Sequence, residues 1–291
     1  MQNKRRYNDF TSFIKKRFGF RVQKVSLNAG FTCPNKDGTK GIGGCTYCNN
    51  NTFNPDYCKP IKPIQLQIEE GIEFFSKKYK SQKYLAYFQA YTNTYGRFKK
   101  LESLYQMALE EKDVVGLVVG TRPDCLPERV LRKFAEITRE HYLSVELGVQ
   151  TFDDEQLLFL SRGHDSASSL EAIRKLKTVT GVNLCVHLMF GLPGETDKQI
   201  RETAEILSEL EVDGVKLHNL HVLRNTPLEK LYRESRFKPL ELEEYTRKVS
   251  IFLENLSPKI AIHRLAAVAS RWDELIAPAW TREKMRTTQY I

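Results

Sequence analysis

Hydrophobic residues fall along this chain in two patterns. Short, nearly unbroken apolar runs occupy positions 84–90, 114–119, 143–150, 182–190 and 214–221. Between and around them, at 64–78, 101–111, 127–141, 153–160, 166–179 and 197–210, apolar residues recur every three or four positions with charged residues in between. The first pattern predicts strands covered on both faces, and the second predicts amphipathic helices packed on them. Residues 21–27 read as an earlier, first strand. Strand then helix recurs about six times at roughly 30 to 35 residue intervals, which predicts right-handed parallel βαβ units. A doubly wound sheet and a (β/α) barrel share that alternation.

The flanks are simpler. Residues 7–18 place Phe10, Phe13, Ile14 and Phe18 at helical spacing opposite a basic face, with Gly19 as a stop. A helix is expected at 241–256, a short last strand at 259–263, and a less regular tail in which Trp272 and Trp280 pack on the body. No low-complexity segment interrupts the array. The expected division is therefore a basic N-terminal helix at 1–19, one catalytic domain at 20–235, and a C-terminal helix and extension at 236–291.

The loop after the first strand breaks both patterns. It holds Cys33, Cys45 and Cys48, three of the six cysteines, among Gly38, Gly41, Gly43 and Gly44. Thiolates converging from so pliant a backbone suit a metal centre. Structural zinc takes four ligands, usually as two Cys-x2-Cys or Cys/His pairs, and only Cys45 and Cys48 form one here. An iron-sulfur cluster is also held by thiolates, and three of them on a cubane leave one iron open for chemistry.

Cys33-x11-Cys45-x2-Cys48, with Tyr47 before the last Cys, resembles the cluster loop of radical S-adenosylmethionine (radical SAM) proteins. The long first gap is similar to the group that includes the elongator catalytic subunit. Within it, residues 28–41 and Gly-Gly-Cys-Thr-Tyr-Cys-Asn-Asn ending at 50 resemble the YhcC/YtqA-type subgroup. The resemblance runs over roughly residues 20 to 265. It implies an α/β fold, a partial (β/α)6 TIM-type barrel with short terminal extensions. It also implies a 4Fe-4S cluster on Cys33, Cys45 and Cys48, and S-adenosyl-L-methionine chelating the open iron. An electron from the cluster would cleave that molecule to a 5′-deoxyadenosyl radical, which abstracts a substrate hydrogen. An electron donor such as flavodoxin or ferredoxin and a reducing cytoplasm belong to the same expectation.

In such barrels the polar residues at strand C-terminal ends build the site. The resemblance places Thr92, Asn93 and Thr94 at the methionine end of the cofactor, and Gln150 and Arg162 at its ribose and carboxylate. Tyr47 joins them from the loop. His187, on the fifth strand ahead of Gly191 and Gly194, stands where some relatives carry an Asp. Lys216, His218 and His221 on the sixth strand, and Thr121, Arg122 and Asp124 after the third, are further candidates to face the substrate. Cys125 and Cys185 read as buried thiols, while Cys58 is a candidate loop ligand or substrate-side thiol. After Leu265 the chain reads Ala-Ala-Val-Ala-Ser-Arg, where a polar Gly-Asp segment is expected of the subgroup.

Composition adds bounds. At 291 residues, 41% hydrophobic and 28% charged, the chain has room for one large α/β domain of ordinary globular make-up. It contains no run of about 18 apolar residues for a membrane span. No apolar stretch follows the opening basic residues, as a secretory signal would need. Net charge is +9, much of it in Lys4-Arg5-Arg6, Lys15-Lys16-Arg17, Lys77-Lys78 and Lys99-Lys100. That charge fits either a solvated surface or a polyanionic partner. The resemblance implies tRNA, modified at the 5-substituent of the wobble uridine, and the residues after 265 are too few for an acetyltransferase domain. A radical SAM enzyme acting on a small molecule or peptide, and a zinc-containing nucleic-acid-binding protein without enzymatic activity, stand as alternatives.

Overall fold

A computed structural model of the chain describes residues 7–49, 54–79, 83–268, 271–283 and 290. The basic triplet at positions 4–6 lies outside them. Seven strands form one parallel sheet: β1 (Val22–Leu27), β2 (Lys83–Phe88), β3 (Val114–Thr121), β4 (Tyr142–Gln150), β5 (Val182–Phe190), β6 (Gly214–Asn219) and β8 (Ala261–Arg264), in that spatial order. The last strand, expected only as a short terminal piece, continues the sheet beside β6. Helices α2 (Ile64–Ser76), α3 (Phe98–Leu109), α4 (Glu128–Ile137), α5 (Asp154–Phe159), α6 (Ser166–Lys177), α7 (Asp197–Glu209) and α9 (Leu242–Asn255) supply the crossovers. Their starts are set by local chemistry. Asp153 and Asp165 accept from the backbone N–H groups of Gln156 and Ser168, and Thr196 with Gln199 closes a capping box.

The sheet is strongly curled. Glu146 on β4 lies three strands from Lys24 on β1, about 14 Å in a flat sheet. Yet Lys24 Nζ reaches Glu146 Oε1 at 2.6 Å, and Lys216 on β6 reaches Oε2 at 2.7 Å. Only a concave face brings these side chains to one point, which makes the architecture a partial barrel. The apolar core lies on the convex side, where Leu117, Leu147, Val186 and Leu217 meet Phe134, Ile173 and Phe252 of the helices.

The two edges of the sheet are bridged by α1 (Phe10–Phe18). The Ile262 N–H donates to the Asn8 carbonyl at 2.7 Å, Asn8 Nδ2 donates to Lys259 O at 3.0 Å, and Ile14 packs with Leu85 and Val118. The amphipathic N-terminal segment thus closes the open side of the barrel.

Several expectations are corrected. The apolar run 214–221 does not continue as one strand: β6 stops at Asn219, and Val222–Leu223 (β7) pairs antiparallel with Leu275–Ala277 (β9). A helix at Pro227–Arg233 (α8) follows, capped by Thr226 with Pro227 in its first turn. Trp280 packs on Tyr245 with ring centroids 5.4 Å apart, but Trp272 is 59% exposed. Cys58 sits in the core among Tyr57 and Ile68, its thiol pushed up to about 12 by burial, so it faces neither the loop centre nor the substrate cleft.

Candidate active site

β1 delivers the chain into the cysteine loop, which is held by its own turns. The Lys36 and Asp37 N–H groups donate to Cys33 O, Gly44 N donates to Asn35 O, and Cys48 N donates to Cys45 O at 3.0 Å. Gly43 and Gly44 take φ of 87° and 94°, a backbone shape that favours glycine. Two anchors fix the loop to the barrel: Thr46 N donates to Leu160 O, and Leu228 N donates to Thr46 O. Asn35 adds a third, donating through Nδ2 to the carbonyls of Ser161 and Arg162 and lying 3.4 Å from Cys45 Sγ.

Two guanidiniums reach the sulfurs. Arg162 places NH1 3.3 Å from Cys45 Sγ and 3.4 Å from the Tyr47 hydroxyl, with NH2 on Gly148 O at 2.6 Å. Arg122, paired with Asp124 at 2.9 Å, puts NH1 3.9 Å from Cys33 Sγ. Burial opposes charge on Arg162, but Tyr47 and Cys45 hold it ionised above its ordinary range. The Cys48 thiol is pushed up to about 12 by burial and then by the nearby Cys45 and Cys33 sulfurs. Loading a metal centre there must release protons.

The donor set fits an iron-sulfur cubane better than zinc. Among the described residues no three His, Cys, Asp or Glu side chains converge on one point that a single ion would occupy. A cubane asks for less convergence, because each thiolate binds a different iron. The flanking guanidiniums supply positive charge for a thiolate-bound cluster.

The three cysteines rim a cleft of about 1270 Å³, counted to its open mouth, at the C-terminal ends of the strands. Tyr47, Thr92, Gln150, Arg162 and His187 line it, as do His218 and His221, whose rings lie 4.9 Å apart. Gln150 is turned inward by a bulge, since Gly148 pairs with His187 but Gln150 with Leu188, and its φ is 75°. Asn93 and Thr94 do not line the cleft. Asn93 Nδ2 donates to Phe88 O and Gly120 O, and Thr94 Oγ1 donates to Cys125 O and bonds the Thr121 hydroxyl, so both tie strand ends together.

His187 and Lys216 meet in the floor of the cleft around a carboxylate, Glu146, that was not anticipated. Glu146, 1% exposed, accepts from Lys24, Lys216, Tyr87 and His187 at 2.5 to 2.8 Å. Burial alone would raise its pKa, yet Lys216, Lys24 and His187 draw it well below the ordinary carboxylate value. His187 is lowered to about 4 by burial and by Lys216, so its neutral ring donates to Glu146. Burial lowers Lys216 to about 8 despite Glu146. Charged residues within predicted sheet strands, Lys24, Glu146 and Lys216, were the available signal.

Fold and site together define a radical SAM protein: residues 33–207 match the Radical SAM superfamily and residues 212–291 the Radical_SAM C-terminal domain. The chain belongs to that superfamily. Its cofactors are a 4Fe-4S cluster and S-adenosylmethionine. Among its relatives, Protein YhcC of Escherichia coli K12 is 38% identical over 98% of this chain and 90% of its own length. A tRNA uridine(34) acetyltransferase of Methanocaldococcus jannaschii is 31% identical over 51% of the chain and 27% of its own length. The solved structure of the archaeal Methanocaldococcus infernus Elp3, lacking residues 1–46, shares the fold with TM-score 0.66 at 21% identity over 92% of the chain. The chain spans 62% of the length of that Elp3 structure. No helix among the described residues is long and apolar enough to cross a membrane.

Proposed function

We propose that this radical SAM enzyme modifies the 5-substituent of the wobble uridine of tRNA. The observation that carries the reading is the relationship to a protein named for uridine 34 of tRNA, over half the chain. The site is compatible with it. Chemistry on a base needs that base out of its stack and inside a pocket. The cleft is open, Tyr47 and Tyr91 line it, and Lys36, Lys40, Lys99 and Lys100 are exposed on and near the cysteine loop. When bound, the cluster supplies the electron that cleaves S-adenosylmethionine, the source of a hydrogen-abstracting radical.

Cys33, Cys45 and Cys48 hold the cluster in this reading. Thr92, Gln150 and Arg162, with Tyr47, position S-adenosylmethionine, and a reductant such as flavodoxin or ferredoxin completes the system. Nucleoside profiling of tRNA from strains with and without the gene is the test. Loss of a modified wobble uridine, with accumulation of its precursor, is expected. An unchanged profile, together with no salt-dependent tRNA binding by the cluster-loaded protein, would end the reading.

A further inference from the structure

The floor of the cleft carries more positive charge than its one carboxylate balances. Lys24, Lys216 and Arg264 face Glu146, and both carboxylate oxygens are already taken: Oε1 by Lys24, and Oε2 by Lys216, Tyr87 and His187. Arg264 gives its Nε–H to Leu217 O at 3.2 Å, and among the described residues no carboxylate pairs with its guanidinium. Burial pushes that guanidinium below its ordinary pKa.

Arg264 is aimed there by an irregularity in the sheet. Val215 pairs with Ile262 but Lys216 pairs with Arg264, leaving His263 as an extra residue. In regular register His263 would stand opposite Lys216, and Arg264 would point toward the helices. The bulge turns both residues to the concave side, where a Cβ on Gly214 would lie 2.5 Å from His263 Nε2. Bulges of this kind re-aim side chains beside active sites. Its product here is Arg264 set opposite Lys216 on the neighbouring strand, like charges that destabilise a sheet unless neutralised. Glu146 serves Lys216, and Arg264 is the one left without a carboxylate among the described residues. Lys216 and Arg264 line both the main cleft and a second cavity under α1, so the pair is reachable from solvent.

Taking the cleft as the place where substrate reacts, and whether or not that substrate is tRNA, we propose that Lys216 and Arg264 form an oxyanion subsite in its floor. It holds a carboxylate or phosphate group carried by the substrate. A guanidinium fork beside an ammonium matches either group. The three cysteines and the subsite line one cavity, so a substrate anchored by its anion keeps its remaining atoms in the space the cysteines rim.

Calorimetric titration of the anaerobic, cluster-loaded protein with malonate and with phosphate, at ionic strength held constant with sodium chloride, tests this. Saturable binding of at least one anion is expected, and the tighter one identifies the group. Arg264→Gln should weaken it at least ~10-fold, while Lys198→Gln, on the outer surface of α7 and 81% exposed, should not change it. Should Arg264→Gln lose its cooperative melt, Arg264→Lys keeps the charge without the fork and should bind several-fold more weakly. No saturable binding, wild-type affinity in the Arg264 variant that folds, or displacement of the anion by S-adenosylmethionine would overturn the assignment. Because anion binding is read directly, it fails or succeeds independently of the nucleoside profile.

Discussion

Asn35 in the cysteine loop donates its side-chain amide to the carbonyl oxygen of Ser161, 126 residues further along the chain, at 2.6 Å. The same nitrogen serves Arg162 O at 2.9 Å, and a Cβ on Gly163 would meet Asn35 Oδ1 at 2.6 Å. One buried side-chain amide therefore adds to the two backbone anchors at Thr46 in seating the loop. Asn35→Ala should cost about 1–3 kcal/mol in chemical denaturation and speed iron loss to a chelator. Wild-type release kinetics would show that the turns and the backbone anchors at Thr46 suffice to hold the loop.

The three loop thiols and the three outside the loop should separate cleanly. Cys33→Ala, Cys45→Ala and Cys48→Ala are each expected to abolish stoichiometric iron and the brown chromophore of anaerobic protein. Cys185→Ala should keep both, since that thiol lies fully buried in β5 with its pKa raised by burial. Iron analysis of the four proteins decides it.

Glu146 holds two cations, one of them nearly enclosed: the Lys24 side chain is 21% exposed and that of Lys216 12%. Removing the carboxylate strands both, so Glu146→Ala should destabilise the protein by about 3 kcal/mol, the low end of the range for a broken buried pair. Adding Lys216→Met should recover part of that loss. Strictly additive urea-denaturation free energies would mean that the two groups do not interact.

Much of the barrel is readable in the sequence because parallel strands and their helices carry different apolar periods, and the glycine-rich loop exposes its cysteines by spacing alone. What escapes is register. Nothing in Ile262-His263-Arg264 tells that one residue is bulged, or that Lys216 will face Arg264. The concave face is likewise hidden, because Lys24 and Glu146 become neighbours only when the sheet curls. Asn93 and Thr94 look like site residues beside Thr92, yet backbone carbonyls at neighbouring strand ends claim their side chains. Trp272 shows that an aromatic residue in a tail need not find the core.

His187 makes stability depend on pH. Its pKa falls from the ordinary 6.5 to about 4 on folding. The unfolded chain therefore binds the extra proton first, and stability held above pH 6.5 is lost as pH drops toward 4. The loss is on the order of 3 kcal/mol at 1.36 kcal/mol per pKa unit. His187→Gln, which keeps a donor for Glu146, should flatten the decline in melting temperature between pH 6.5 and 4. A parallel decline in both proteins would assign the acid sensitivity to other groups, His164 among them.

The hydrogen bond from Ile262 to Asn8 joins the segment ahead of α1 to the final stave of the wall. Contacts so distant along a chain form slowly, because the intervening loop entropy is lost before they contribute. As the polypeptide leaves the ribosome, every βαβ unit can settle while the flank of the cylinder still gapes, its lysines and its glutamate wet. An N-terminal truncation reaching Asn8 would remove that seal and leave a protein with its catalytic mouth assembled and its side door open.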